Sequence, residues 1–263
     1  MIMEERSKGK ERAKKIIKRT LIILLLLFVA ASGYLVYYLY GESQAGNEYH
    51  EIYITKQPAV NEKVENPVDF ASLIQTNDDI YAWIEIKDTN VNYPIVQSKT
   101  NDEFYLKHSA VDKSYISSGA IYTESCNSLD FSDPITLVYG HNGYSDIMFT
   151  TLHNFESEKF FNEHEYFYIY MPGQKLTYQV ISAFKYDDRH IMNGFDFYYE
   201  ADLAEFQATV LNPPSSNMRN VRTDLDVPID KDSKIVVLST CITGQKSNRY
   251  LVCGVLVKTE ETY

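Results

Sequence analysis

Ile235-Val236-Val237-Leu238-Ser239-Thr240-Cys241, followed after the loop 242–248 by Arg249-Tyr250-Leu251-Val252-Cys253-Gly254-Val255-Leu256-Val257, is the stretch on which the fold is read. Both runs are dominated by β-branched and aliphatic residues, so each reads as a strand. Paired as antiparallel neighbours, they bring the thiol of Cys241 and the guanidinium of Arg249 together at one end of a sheet. Free cysteine is by default a small buried hydrophobe; the strand-end position and the arginine set Cys241 apart. Cys253 alternates with Leu251 and Val255 and reads as strand core.

A nucleophile needs a proton-transfer group, and the candidate lies a hundred residues upstream in Pro134-Ile135-Thr136-Leu137-Val138-Tyr139-Gly140-His141-Asn142-Gly143. His141 follows an apolar strand and stands in a glycine-flanked segment where the backbone can turn and present the ring at a rim. A thiol attacks as thiolate, which a nearby imidazolium or arginine favours, so Cys241, His141 and Arg249 form a coherent set for acyl transfer.

Residues 1–20 carry eight Lys/Arg against Glu4, Glu5 and Glu11, and Leu21 to Tyr40 follows without a charge. Twenty helical residues span about 30 Å, the thickness of a bilayer core. Basic residues before the span and none close behind it predict a cytoplasmic tail at 1–20, a single transmembrane anchor at 21–40 and an extracytoplasmic remainder. The competing reading is a cleaved signal peptide with Ala30-Ala31-Ser32 at the cleavage region. Against it, the apolar run continues through Tyr34 to Leu39, past the usual span of about 7–15 residues.

Beyond residue 20 the chain holds 17 Lys/Arg and 33 Asp/Glu, a net charge of −16. Such a surface argues against nucleic acid and against a lipid-binding face. Three cysteines in an exported chain cannot all pair, none has metal-ligand spacing, and nothing in the chain calls for a cofactor. Cys126 lies in a polar stretch with no visible partner chemistry. His50, His108, His153, His164 and His190 read as solvated surface residues, with His108 and His190 as second-choice bases. The pairs Asp78-Asp79 and Asp187-Asp188 read as turns.

Residues 41–65 read as a polar tether and 66–263 as one catalytic domain. Short helices are expected near 67–77 and 101–107, with a helical turn from Ile147 to Asn154. Strands are expected near 81–87, 91–97, 119–124, 134–140, 166–171 and 175–186. Within 187–233, Leu203, Phe206 and Val210 at helical spacing predict a helix over 199–211, stopped by Asn212-Pro213-Pro214. Many short strands, mostly antiparallel, suggest a closed barrel or a sandwich.

These residues resemble the sortases, membrane-anchored cysteine transpeptidases of Gram-positive bacteria. The family signature Thr-Leu-x-Thr-Cys stands here as Val237-Leu238-Ser239-Thr240-Cys241, valine replacing the first threonine. Trp83-Ile84, Asn92 through Gln97, Asn101 through His108, Gly140-His141-Asn142, Met148-Phe149 and the cysteine and arginine strands follow in family order. The likeness is greatest to class B, and the helix before the cysteine strand supports that subclass. The resemblance implies a mostly β fold, an eight-stranded sortase-type β-barrel with short peripheral helices. It implies Cys241 as nucleophile, His141 as acid and base, Arg249 as oxyanion and substrate donor, and Ser239 and Thr240 as substrate contacts. The implied substrates are secreted proteins bearing a C-terminal sorting signal of LPxTG or NPxTx type. The acceptor is a cell-wall precursor amine of lipid II type or a pilin lysine. A noncatalytic membrane-tethered β-domain that binds wall or partner proteins is the competing class.

Overall fold

The computed structural model describes residues 17–41, 65–143, 146–214 and 218–263, and the chain divides into two units, 1–41 and 42–263. In the first, helix α1 (Ile17–Gly41) has 25 residues and a mean hydropathy of 2.3 over its most apolar window. At 1.5 Å per residue it is about 37 Å long, enough to cross a bilayer core. Most of the basic tail expected at 1–20, and the tether expected at 41–65 apart from its two ends, lie outside the described residues.

The second unit runs α2 (Phe70–Thr76), β1 (Ile80–Glu85), β2 (Asn92–Gln97), a 3-10 turn (Phe104–Leu106), β3 (Ile121–Thr123) and β4 (Ile135–Tyr139). A second 3-10 turn (Thr150–Glu156), α3 (Glu158–Glu163), β5 (Tyr166–Met171) and β6 (Gln174–Asp187) follow. Then come α4 (Ile191–Gly194), α5 (Glu200–Leu211), β7 (Arg219–Val221), β8 (Ile235–Ile242) and β9 (Gln245–Glu261). The strands are ordered β5-β1-β2-β3-β4-β8-β9-β6, and a β5–β6 ladder closes them into an eight-stranded barrel. The short β7 is an addition that the sequence reading lacked. It borders β6 at Ser182–Phe184, beyond the point where the β5 ladder ends at Gln179.

Strand alternation sorts the side chains of β8 and β9 onto two faces. Val236, Leu238, Tyr250 and Val252 join Trp83, Tyr93, Phe167 and Tyr178 in the barrel core. Ile235, Val237, Leu251, Cys253 and Val255 face the other way, into a second cluster with Ile191 of α4 and Leu203, Phe206 and Val210 of α5. Phe206 is fully buried there, its ring edge-on to Phe195 and Phe197 at 5.5 and 5.2 Å. The insertion between β6 and β8 is therefore a lid over one face of the hairpin, held by apolar burial worth about 2–3 kcal/mol per large side chain.

The barrel is mostly antiparallel, as expected, and the pairs β2–β3 and β4–β8 are parallel. One other expectation changes. The loop expected at 242–248 is mostly strand: β8 reaches Ile242, β9 begins at Gln245, and Gly244 at φ +76° makes the turn between them. That left-handed conformation suits glycine at a tight hairpin. The polar run 245–248 looks loop-like in sequence, yet Asn248 pairs with Asp187 and Arg249 with Tyr186 of the long strand β6.

Candidate active site

Cys241 and Arg249 are direct partners in the β8–β9 ladder. Directly opposed residues of an antiparallel pair project to the same face with Cβ atoms about 5 Å apart. Thiol and guanidinium thus share one rim, Cys241 being exposed. Arg249 is the fifth residue of β9, not its first, and lies between Cys241 on one side and Tyr186 on the other. Its Nη1 donates to the carbonyls of Lys246 (3.1 Å) and Asn248 (3.0 Å), which props the side chain against the hairpin.

His141 arrives by the parallel pairing. Tyr139 lies opposite Ser239, and the Gly140 N–H donates to the Ser239 carbonyl at 3.1 Å. Two residues further on along both chains, His141 and Cys241 leave at the same rim. Glycine at 140 is required by space and not by a turn: a Cβ there would stand 2.5 Å from the Ile121 side chain and 2.6 Å from the Phe149 ring. His141 Nε2 donates to the Leu106 carbonyl at 2.8 Å. A carbonyl only accepts, so the proton sits on Nε2 and Nδ1 is the nitrogen with a lone pair to offer.

The three residues border a cleft of about 250 Å³ that is also lined by Glu103, Tyr122, Glu124, Tyr139, His190 and Ser239. Burial first, then Glu124 and Glu103, hold the Tyr122 phenol above its ordinary value; burial, then Glu124, does the same for Tyr139. The two rings stack at 5.2 Å and stay neutral, forming an aromatic wall. Ser239 is nearly buried on the strand face of Cys241, whereas alternation turns the Thr240 side chain toward the barrel core. Thr240 Oγ1 is buried with no hydrogen-bond partner among the described residues, and Thr240 is one of the residues that line the cleft.

Of the second-choice bases, His190 is at the cleft rim, paired with Glu124 at 2.9 Å. His108 stacks on Phe104 at 4.0 Å and does not line the cleft. His50 lies outside the described residues. The residue that the sequence reading missed is His153: its Nε2 is 3.0 Å from the Cys241 carbonyl and its Nδ1 meets Glu156. Only its place three residues before a glutamate in a helical turn hinted at that pair.

The Sortase domain family model matches residues 84–257, about two thirds of the chain, and the chain belongs to the sortase family. Within the family it is similar to class B members. It is 29% identical over 209 residues to Sortase B of Listeria monocytogenes, covering 78% of this chain and 81% of that one. It superposes on the X-ray structure of Clostridium perfringens sortase B with a TM-score of 0.61 and 29% identity, covering 72% of this chain and all of the other. A Staphylococcus aureus sortase B–substrate complex matches with a TM-score of 0.61 and 27% identity over 72% of this chain and 84% of the other. The expected family, the class B likeness and the eight-stranded barrel are all borne out. Sortases are cysteine transpeptidases that act at the cell surface, and the apolar α1 fits membrane anchoring.

Proposed function

We propose that this chain is a class B transpeptidase with Cys241 as nucleophile, His141 as acid and base and Arg249 as the donor that holds the carbonyl under attack. The observation that carries this reading is the register: Arg249 is opposite Cys241 on one side, and β4 delivers His141 to the same rim on the other. Cys241 Sγ adds to the carbonyl carbon after threonine in a sorting signal of LPxTG or NPxTx type. Arg249 offsets the charge that develops on oxygen. The thiol proton passes to His141 Nδ1 as Sγ adds; the C–N bond then breaks, His141 hands that proton to the departing amine, and a thioester remains. An incoming amine, deprotonated by His141, attacks that thioester and releases the thiolate. Ser239 and Thr240 border the cleft where the signal would sit.

With the N-terminus inside and residues 41–65 as tether, the domain works on the outer face of the membrane. The acceptor is a cell-wall precursor amine. The test is mass spectrometry of the protein incubated with a panel of sorting-signal peptides, with and without wall-type and lysine amines. A thioacyl adduct on Cys241, absent from Cys241→Ala and discharged by the wall-type amine, is expected. Discharge only by a lysine amine would make the acceptor a pilin. Full cleavage by Cys241→Ala would remove Cys241 as the nucleophile, and no cleavage or adduct with any peptide by the wild type would leave a noncatalytic binding domain as the better reading.

A further inference from the structure

The β8–β9 ladder breaks register between Cys241 and Ile242, one residue past the thiol-bearing Cα. A bulge loosens pairing and bends its strand, so the aim of Cys241 depends on whatever else fixes that peptide. Two side chains do so, both from the segment that follows β4. Asn142 Nδ2 donates to the Cys241 carbonyl at 2.9 Å and to Thr243 Oγ1 at 3.1 Å. His153 Nδ1 donates to Glu156, and Nε2 stands 3.0 Å from the same carbonyl and 3.2 Å from Asn142 Nδ2, so it donates to the carbonyl when the ring carries a proton on each nitrogen. The His153 ring lies flat on Tyr250, centroids 5.0 Å apart, and Tyr250 is fully buried opposite Thr240.

We infer that Asn142 and His153, the latter oriented by Glu156, are positioning residues that clamp the carbonyl of Cys241 and set its thiol against His141. The inference rests on the reading of Cys241 as nucleophile. Asn142 adjoins His141 in the chain, so one segment fixes both reacting groups. That segment is itself anchored: Gly143 N–H donates to Thr150 Oγ1 at 2.8 Å, Phe149 N–H to the His141 carbonyl at 3.0 Å, and Met148 N–H to the Tyr93 hydroxyl at 3.1 Å. Glu156 in turn accepts from Nδ1 and holds the ring, in the way a carboxylate orients a histidine elsewhere. Neither clamp residue touches the cleft chemistry, so the loss should fall on the bound complex and not on substrate capture. Misplacing reacting groups by about 1 Å can cost about 10²-fold in rate; loss of one of two donors should cost less.

The experiment uses the full chain in detergent with an NPxTx-type peptide and compares His153→Phe, His153→Gln and Cys241→Ala. Phenylalanine keeps the stack on Tyr250 and removes both nitrogens; glutamine restores an N–H. For His153→Phe we expect kcat down ~10-fold with KM within ~2-fold, slower iodoacetamide labelling of Cys241 and a nearly unchanged Tm. His153→Gln should regain most of kcat. Wild-type kcat in His153→Phe, or a kcat loss that follows Tm and is not rescued by glutamine, would overturn the clamp. Cys241→Ala separates the two claims: if it is inert while His153→Phe is normal, only the clamp is wrong. If it turns over peptide, the nucleophile is wrong and the clamp goes with it.

Discussion

Cys241 and Cys253 belong to one hairpin and face the same side of it, yet their environments are opposite. Cys253 pairs with Val237 under α5, fully buried, and burial pushes its thiol up. Cys241 pairs with Arg249 where the lid stops, and is open to solvent. What separates them is the reach of the 187–211 insertion over the sheet, not the strand on which they sit. A thiol becomes available for chemistry here by being left uncovered next to a guanidinium.

The largest effect should come from removing the cover. Phe206→Ala deletes a fully buried ring from the cluster over Cys253 and should cost about 3–5 kcal/mol. Denaturant titration would measure the cost, and alkylation in mild denaturant should then reach Cys253 well before the wild type allows it. Unchanged labelling would mean that strand pairing alone protects that thiol.

At the open end, Arg249→Lys should keep the fold but lower the rate about 10²-fold, equivalent to about 2.7 kcal/mol, the scale of one lost oxyanion donor. Lysine retains the charge and lacks the planar fork. Peptide cleavage and Tm on one sample decide it: near-normal turnover would reduce Arg249 to a strand-end surface residue.

The smallest effect belongs to the covered thiol itself. Cys253→Ala should lower stability by roughly 1 kcal/mol and leave kcat unchanged. A fall in activity without a fall in stability would couple the two ends of the hairpin in a way that burial does not explain.

The strands around both cysteines were legible because period-2 alternation of aliphatics over 235–241 and 249–257 is a local signal, and α5 was legible because Leu203, Phe206 and Val210 keep helical spacing. Parallel pairing of β4 with β8 was not, since register between segments so far apart leaves no mark on either. The short elements α3 and β7 and the polar start of β9 escaped for a related reason: partners on β6 and the second 3-10 turn stabilise them, and their own propensities do not. His141, Cys241 and Arg249 could be picked out by residue type at the ends of apolar runs. His153 could not, because its significance lies in a hydrogen bond to a backbone carbonyl, a group that every residue has.

The β4–β8 ladder joins Ile135 to Ile235 and Tyr139 to Ser239, residues a hundred positions apart. Such contacts form late, since the entropy of closing a long loop must be met before they return anything, and topologies rich in them fold slowly. The folding chain therefore passes through a stage in which its hairpin can exist without the His141 segment beside it. During that stage Cys241 lacks the partner that the proposed chemistry requires. On the proposed reading, barrel closure then sets the moment at which that chemistry can begin.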